Sequence, residues 1–282
     1  MTAITIPTSI MTKSMKARDD IQRVQTTAIQ AFRQSQFEEA ITATEEWMYL
    51  ERKHGELESA AVAETLNFLG KVYCTMGDSD SAILYFKQAV EMMRKVQPDS
   101  KIMAKTLTNM GFIYKQHERN AQALRLLEES LSILEKVAPN TMTLANNYSN
   151  VAMILKDMDR VKESIRREKQ GMEIKEKIAP GTESLAVTYL TLGQLYLSIG
   201  NPTKAIKYLQ LAKKIAIPLD KNPLKMDVTM TLNEALSLQL KKGQTKKKKR
   251  AKKEPISLKE QVVAYKMVRP KLLNPEDRLI SI

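Results

Sequence analysis

The sequence predicts an all-α chain, a solenoid of about five antiparallel helix pairs closed at its C-terminal end by a capping helix. Three observations support that expectation. Small residues return every 41 positions at Gly70, Gly111, Ala152 and Gly193, inside the equivalent strings LNFLGKVY (66–73), LTNMGFIY (107–114), YSNVAMIL (148–155) and YLTLGQLY (189–196). Pro98, Pro139 and Pro180 repeat at the same interval. With only 9 Gly and 10 Pro in 282 residues, and aromatics at 5%, the chain lacks the makeup of a turn-rich all-β protein. A period of this size is the mark of stacked supersecondary units.

The first 18 residues hold no acid and include Lys13, Lys16 and Arg18. They read as a flexible N-terminal tail in preference to a mitochondrial presequence, because Arg is scarce and Pro7 interrupts an amphipathic helix. Residues 19–242 form the repeat domain. A degenerate first copy places Ala28 42 positions before Gly70 and Ala40 as the echo of Ala82. Each later unit opens with a helix whose apolar stripe follows i, i+3, i+4 and i+7, as at Leu66, Leu69, Gly70 and Tyr73. A short turn follows, with Asp78 as a natural N-cap and Pro202 suited to a first helical turn. The second helix holds Ala82, Phe86 and Ala89 and ends before the repeating Pro, which cannot continue an interior helical ladder. An amphipathic pair of this size cannot bury its own face, so copies must stack. In the fourth unit Ser164, Glu168 and Gly171 take the slots of Ala82, Phe86 and Ala89. Either that helix packs loosely or Ile165 and Met172 compensate. From Leu224 to Leu240 a closing helix is expected, with Leu232, Leu236 and Leu240 on one face.

Residues 243–282 read as a basic, largely disordered tail. Nine basic residues and no acid fall between Lys241 and Lys253, so nine of the net +13 charges sit in one short run and the rest of the chain is only mildly basic. The run Lys246, Lys247, Lys248, Lys249, Arg250, Lys252 and Lys253 suits a nuclear import signal, a contact to nucleic acid or anionic lipid, or a solvated linker. No aromatic interleaves it, so nucleic-acid contact there would be made to phosphates and be salt-sensitive.

The chain lacks the spacing of a phosphate-binding loop, a dinucleotide fingerprint, a zincin helix or a nucleophile elbow. One Cys and two His leave too few ligands for a common Cys/His zinc site, and carboxylates are mixed with Lys and Arg as on a solvated helix face. No enzyme, no metal and no cofactor is expected. No stretch approaches the roughly 18 apolar residues of a membrane span, so a soluble protein is expected.

Leu66, Leu69, Gly70, Tyr73, Ala82, Phe86 and Ala89, and again Tyr189, Leu192, Gly193, Tyr196, Ala205, Leu209 and Ala212, resemble the tetratricopeptide repeat. The usual unit of that family is roughly 34 residues. The 41-residue period here, and the phrase LLEESLSILEKVAPNTMTLANNYSNVAMIL (126–155), are similar to the longer repeats of kinesin light chains. The resemblance spans roughly residues 21–217. It implies a right-handed superhelix whose first helices line a concave wall.

At about 100° per residue, the side of each first helix opposite its stripe holds Glu64, Phe68, Lys71 and Thr75. The equivalents are Lys105, Asn109, Phe112 and Gln116, then Asn146, Asn150, Met153 and Asp157, then Val187, Thr191, Gln194 and Ser198. Amides there can bond a peptide backbone, lysines its acids, and Phe or Met its apolar side chains. Asn109 and Asn150 fall where the kinesin light chain-like repeats hold an Asn against a bound backbone; Asn67 is one residue off that register and Thr191 replaces it in the fifth unit. The Lys, Asn and Arg set of a chaperone-tail carboxylate clamp is not assembled. The candidate groove is therefore Phe68, Lys71, Lys105, Asn109, Phe112, Lys115, Asn146, Asn150, Met153, Lys156 and Gln194. The expected function is a non-enzymatic scaffold that holds an extended, acidic segment of a partner protein. The alternative is a nuclear or RNA-associated factor whose basic tail contacts nucleic acid. A cytoplasmic location follows from the first reading and a nuclear one from the second.

Overall fold

The computed structural model describes residues 8–55, 57–219 and 222–251, with side chains from 15 to 245 apart from 56 and 220–222. Ten helices form five hairpins: α1 (Thr8–Arg33) with α2 (Phe37–His54), α3 (Ala60–Met76) with α4 (Ser79–Val96), α5 (Lys101–Gln116) with α6 (Asn120–Val137), α7 (Met142–Asp157) with α8 (Val161–Ile178), and α9 (Glu183–Ser198) with α10 (Pro202–Ala216). A final helix, α11 (Asn222–Ala251), packs on α10 and touches α9. No strand occurs among the described residues. First helices start at 60, 101, 142 and 183 and second helices at 79, 120, 161 and 202, so the 41-residue period is realised to the residue. Each of the ten paired helices packs most heavily on its hairpin partner, and adjoining hairpins meet through helices that are consecutive in the chain, which is the nearest-neighbour order of a solenoid.

Local chemistry sets the boundaries. Ser59, Ser100 and Thr141, themselves 41 apart, accept the amides of Val62, Met103 and Leu144 at 3.2, 3.1 and 3.3 Å and so cap α3, α5 and α7. Asp78 and Asn201 do the same for α4 and α10. The reversal within each hairpin passes through one left-handed residue, at Ser35, Gly77, Glu118, Asp159 and Gly200. The next amide then bonds back five residues, as from Asp78 to Tyr73 at 3.0 Å and from Arg160 to Leu155 at 2.8 Å, the closure expected where a helix ends on a left-handed residue.

The seam inside each hairpin explains the small-residue repeat. A Cβ on Gly70, Gly111 or Gly193 would come within 2.6, 3.0 or 2.6 Å of Phe86, Leu127 or Leu209 on the opposing helix. The large residue of the second helix lies on the glycine of the first. In the fourth unit Ala152 replaces that glycine and Glu168 replaces that large residue, so both sides of the contact change together. The helix is not loosely packed there. Ser164 and Glu168 are buried, Ile165 and Met172 close the apolar side, and a Cβ on Gly171 would lie 2.7 Å from the Ala145 carbonyl. Between units, Tyr148 and Tyr189 donate to Glu135 and Glu176 at 2.6 Å each and tie α6 to α7 and α8 to α9. Burial, with the Glu135 hydrogen bond next, pushes the Tyr148 hydroxyl up to about 12.

The two ends depart from the sequence reading. Helix α1 begins at Thr8, within the stretch read as a flexible tail to residue 18; no Pro or Gly follows Pro7 before Arg33 to break it. Helix α11 runs through the 242/243 boundary to Ala251. Its buried face is Leu224, Val228, Leu232 and Ala235, whereas Leu236 and Leu240 are exposed, so only Leu232 of the expected stripe is covered. Strict i+4 spacing advances about 400° per step, and a stripe chosen that way rotates off the contact within two turns. By Gln239 the helix has also reached the α9–α10 turn, where Gln239 donates to Thr203 at 3.5 Å and Lys242 to the Gly200 carbonyl.

Candidate peptide-binding groove

On the wall formed by α3, α5, α7 and α9, every residue expected to face inward is exposed or half-buried, while the stripe behind it is buried apart from the half-buried Tyr73. Phe68, however, packs edge-on to Phe32 at 5.6 Å between ring centroids and lies 6.2 Å from Trp47. Its apolar character serves the junction of α1, α2 and α3, a contact the one-dimensional pattern does not contain. Met153 likewise packs against the central core from its half-exposed position. Phe112 is half-buried.

Two cavities open side by side on this wall. The first, about 370 Å³, lies between α5, α6 and α7 and is lined by Lys101, Lys105, Thr108, Asn109, Asn146, Asn147 and Asn150 among others. The second, about 650 Å³, lies between α7, α8 and α9 and includes Asn146, Asn150, Met153, Lys156, Glu168, Lys175, Thr191 and Gln194. Asn146 and Asn150 belong to both and form the divide. The structure thus brings together Lys105, Asn109, Asn146, Asn150, Met153, Lys156 and Gln194. It sets Phe68, Lys71, Phe112 and Lys115 outside the two cavities.

The amides differ in their freedom. Asn109 donates to Asn67 Oδ1 at 3.3 Å, an oxygen that also accepts from Thr106 at 3.1 Å. Asn67, off register as a groove residue, is buried beneath the wall and holds its neighbour. Asn150 has no side-chain hydrogen bond among the described residues. Behind the wall a polar position repeats at Thr65, Thr106, Asn147 and Thr188, all buried. Asn147 donates to Thr108 at 3.0 Å and Ser130 at 2.7 Å, and its Oδ1 is buried without a donor among the described residues.

The lysines also differ. Lys71 lies over the Phe32 ring at 4.6 Å, and burial, then the charges of Lys105 and Arg33, hold its ammonium below the ordinary lysine range. Arg33, on α1, was not identified by the sequence pattern. Lys115 is paired with Asp157 at 3.5 Å, and its charge is correspondingly offset. Lys156 is exposed.

Glu168 and Lys175, both on α8, were missed as site residues. They are 2% and 3% exposed and stand at the floor of the larger cavity. Ser149 donates to Glu168 Oε1 at 3.2 Å, and Lys175 donates to Thr188 at 2.9 Å and to Ser149 at 3.4 Å. Burial raises the Glu168 carboxyl against the opposing pull of Lys175, and burial lowers the Lys175 ammonium against the pull of Glu168. The signal for Lys175 was available: the residues 41 and 82 before it are Leu134 and Met93.

Lys241 and Lys242 are exposed on α11, whose backbone includes Lys246, Lys247, Lys248, Lys249 and Arg250; Lys252 and Lys253 lie outside the described residues. No described helix is long and apolar enough to cross a membrane.

The tetratricopeptide repeat model matches residues 24–95, 102–177 and 143–217. Among solved structures, BtubC (BKLC) from P. vanneervenii superposes with a TM-score of 0.66 at 18% identity, covering 76% of this chain and 90% of that one. The nearly identical TPR-like repeats named for a kinesin light chain of Podosopora anserina give 0.60 at 17% identity, covering 71% and 98%. The STAND protein PH0952 from Pyrococcus horikoshii, with its tetratricopeptide repeat sensor, gives 0.66 at 16% identity, covering 79% of this chain and 33% of its own. These likenesses are of fold. No curated protein sequence matches the chain.

Proposed function

Because the chain belongs to the tetratricopeptide repeat family, we propose that it is a non-enzymatic interaction scaffold that holds an extended, acidic segment of a partner protein along the wall of α5, α7 and α9. The observation that carries this reading is the pair of contiguous cavities divided by Asn146 and Asn150. The smaller one is lined by Lys101 and Lys105 with no carboxylate among its lining residues, which suits a Glu or Asp side chain. Adjacent packed helices lie about 8–10 Å apart, and an extended chain rises about 3.3 Å per residue. The two cavities therefore fit side chains two or three residues apart on one segment, with Asn150 free to bond the backbone between them.

The test is the affinity of the full chain for a library of extended acidic peptides, compared with Asn109→Ala, Asn150→Ala and the double variant. Asn150→Ala is expected to weaken binding about tenfold, the loss of a hydrogen-bond pair to a backbone. Asn109→Ala is expected to do less, since one of its donors is already given to Asn67. Unchanged affinity in the double variant excludes the groove. Duplex DNA is the competing ligand. Binding through the basic run would fall as salt rises, with a slope near 0.9 per neutralised phosphate, and would ignore both Asn substitutions.

A further inference from the structure

We propose that the cavity between α7, α8 and α9 is a subsite for a primary amide, the Asn or Gln side chain of a bound segment, held between Glu168 and Lys175. The arrival of that amide on a peptide rests on the groove reading; the chemistry of the cavity does not.

The fold itself has no use for an ionisable pair here. At the position of Glu168 the other units bury Phe86, Leu127 and Leu209, and at the position of Lys175 they bury Met93, Leu134 and Ala216. Apolar residues complete the same hairpin three times over. The fourth unit instead places two charged side chains where less than a twentieth of each is exposed. It also fills the glycine slot with Ala152. Burial of this kind disfavours both charges; their mutual attraction and the bonds to Ser149 and Thr188 offset part of that cost and leave Glu168 Oε2 without a donor among the described residues. Its equivalent Leu134 also lines a cavity of the groove, the smaller one, and gives it an apolar floor; here the floor is ionisable.

The hydrogen bonds define the ligand. Glu168 Oε1 accepts from Ser149, but Oε2 is buried with no donor among the described residues. Two of the three ammonium hydrogens of Lys175 are directed to Thr188 and Ser149. The site therefore holds one remaining donor and one bare acceptor, an oxygen sealed from solvent in the free chain that a ligand reaches once the Glu168 carboxylate turns toward the cavity. Charge selects further. Lys156 and Lys175 stand with Glu168 and Glu183 among the lining residues, so the cavity mixes both signs of charge and is not built for an ion of one sign. A carboxylate would bring only acceptors to Glu168 Oε2, and an ammonium only donors to Lys175. A primary amide brings one of each on a single planar group, its N–H to Glu168 and its carbonyl to Lys175. About 650 Å³ admits it together with the methylenes of a Gln side chain.

The probes are propionamide, propionate and propylammonium, each titrated into the full chain while the backbone amide resonances of Ser149, Glu168 and Thr188 are followed. Propionamide is expected to shift these signals saturably, and the two ions to leave them at least about tenfold less responsive, the worth of one hydrogen bond to a charged group. Glu168→Met with Lys175→Met, a pair that copies the apolar floor of the other units and so keeps the fold, is expected to abolish the propionamide response. No localised shift with any probe means that the cavity holds water only, and overturns the proposal. So does an equal response to propionate, or a response that survives in the double variant. Acidic-peptide binding that still depends on Asn150 in that outcome leaves the groove standing; loss of dependence on Asn150 with the propionamide response intact removes the groove and keeps the subsite.

Discussion

At Glu168 and Lys175 two opposing free energies can be separated by substitution. Each charge is costly to bury, and each is held by the other's field and by the hydroxyls of Ser149 and Thr188. Replacing a buried pair by apolar side chains often stabilises a protein by about 1–4 kcal/mol, whereas removing one partner costs about 3–5 kcal/mol. Glu168→Met with Lys175→Met is expected to fall in the first range and Lys175→Met alone in the second. Met is chosen over Leu because an unbranched thioether can pass the Cβ of Ala152, which Leu127 need not do over Gly111. Urea midpoints at neutral pH measure both, and a double variant less stable than the parent would show that the pair is structural. The single variant also has a pH signature. A carboxyl raised in the folded state binds its proton more tightly there than in the unfolded chain. Its stabilising contribution is therefore complete below the unfolded value of about 4.3 and is lost as pH rises through the higher folded value. The parent shows this loss already, since its Glu168 is raised. Without Lys175 the window widens upward, so the gap between Lys175→Met and the parent should close as the solution is acidified. A gap that stays constant with pH assigns the destabilisation to packing.

The hairpin is the element that the sequence describes most fully, and the reversal inside it shows how far that description reaches. The Asp78 cap and the stripe with its glycine were legible because each depends on residues close to it along the chain; Ser100, a cap of the same kind, was not picked out. The left-handed position was legible only where it is Gly77 or Gly200; at Glu118 and Asp159 the same geometry, with φ of 59° and 58°, is imposed by the helices on either side. A non-glycine residue there costs about 1 kcal/mol or more before the greater chain entropy of glycine is deducted. Glu118→Gly and Asp159→Gly are accordingly expected each to raise stability by a few tenths to about 1 kcal/mol, read from the urea midpoint. A fall in either would mean that the carboxylate makes a compensating contact. The converse change at the seam has the opposite sign. Gly193→Ala puts a methyl group 2.6 Å from Leu209 and is expected to cost about 1–3 kcal/mol. The site was less legible than the hairpin for the same reason that the ring contacts of Phe68 were. A groove residue, its floor and its neighbour across the stack are about 19 to 42 positions apart, as Ser149 is from Glu168 and Asn67 from Asn109, and a single helical wheel holds none of these pairs.

Over the whole molecule, a solenoid distributes its stability along one dimension, and its ends must hide an apolar face that interior units give to each other. Here the C-terminal end falls to α11. Leu224, Val228, Leu232 and Ala235 are buried in the cluster that includes Ile206, Leu209 and Ala212 of α10. At about 1.5–3 kcal/mol for each large apolar side chain fully buried, the three larger residues contribute roughly 5 kcal/mol or more. Beyond Ala235 the balance changes: Leu236, Leu238 and Leu240 are partly exposed, and the contacts given by Gln239 and Lys242 are polar and at the surface. The capping work is thus complete before the basic run begins. Chains ending at residue 245 and at residue 219 separate the two roles of this helix. The first is expected to keep the parent's urea midpoint within error and its peptide affinity, because the cavities are walled by α5 to α9 and none of their lining residues lies on α11. The second is expected to lose several kcal/mol, to bind an apolar dye at its exposed α10 face, and to weaken peptide binding through fraying of α9, which lines the larger cavity. Equal stability of the two would move the cap elsewhere. Loss of peptide affinity in the chain ending at residue 245, with its midpoint unchanged, would place recognition in the basic run and leave the repeats as the platform that presents it.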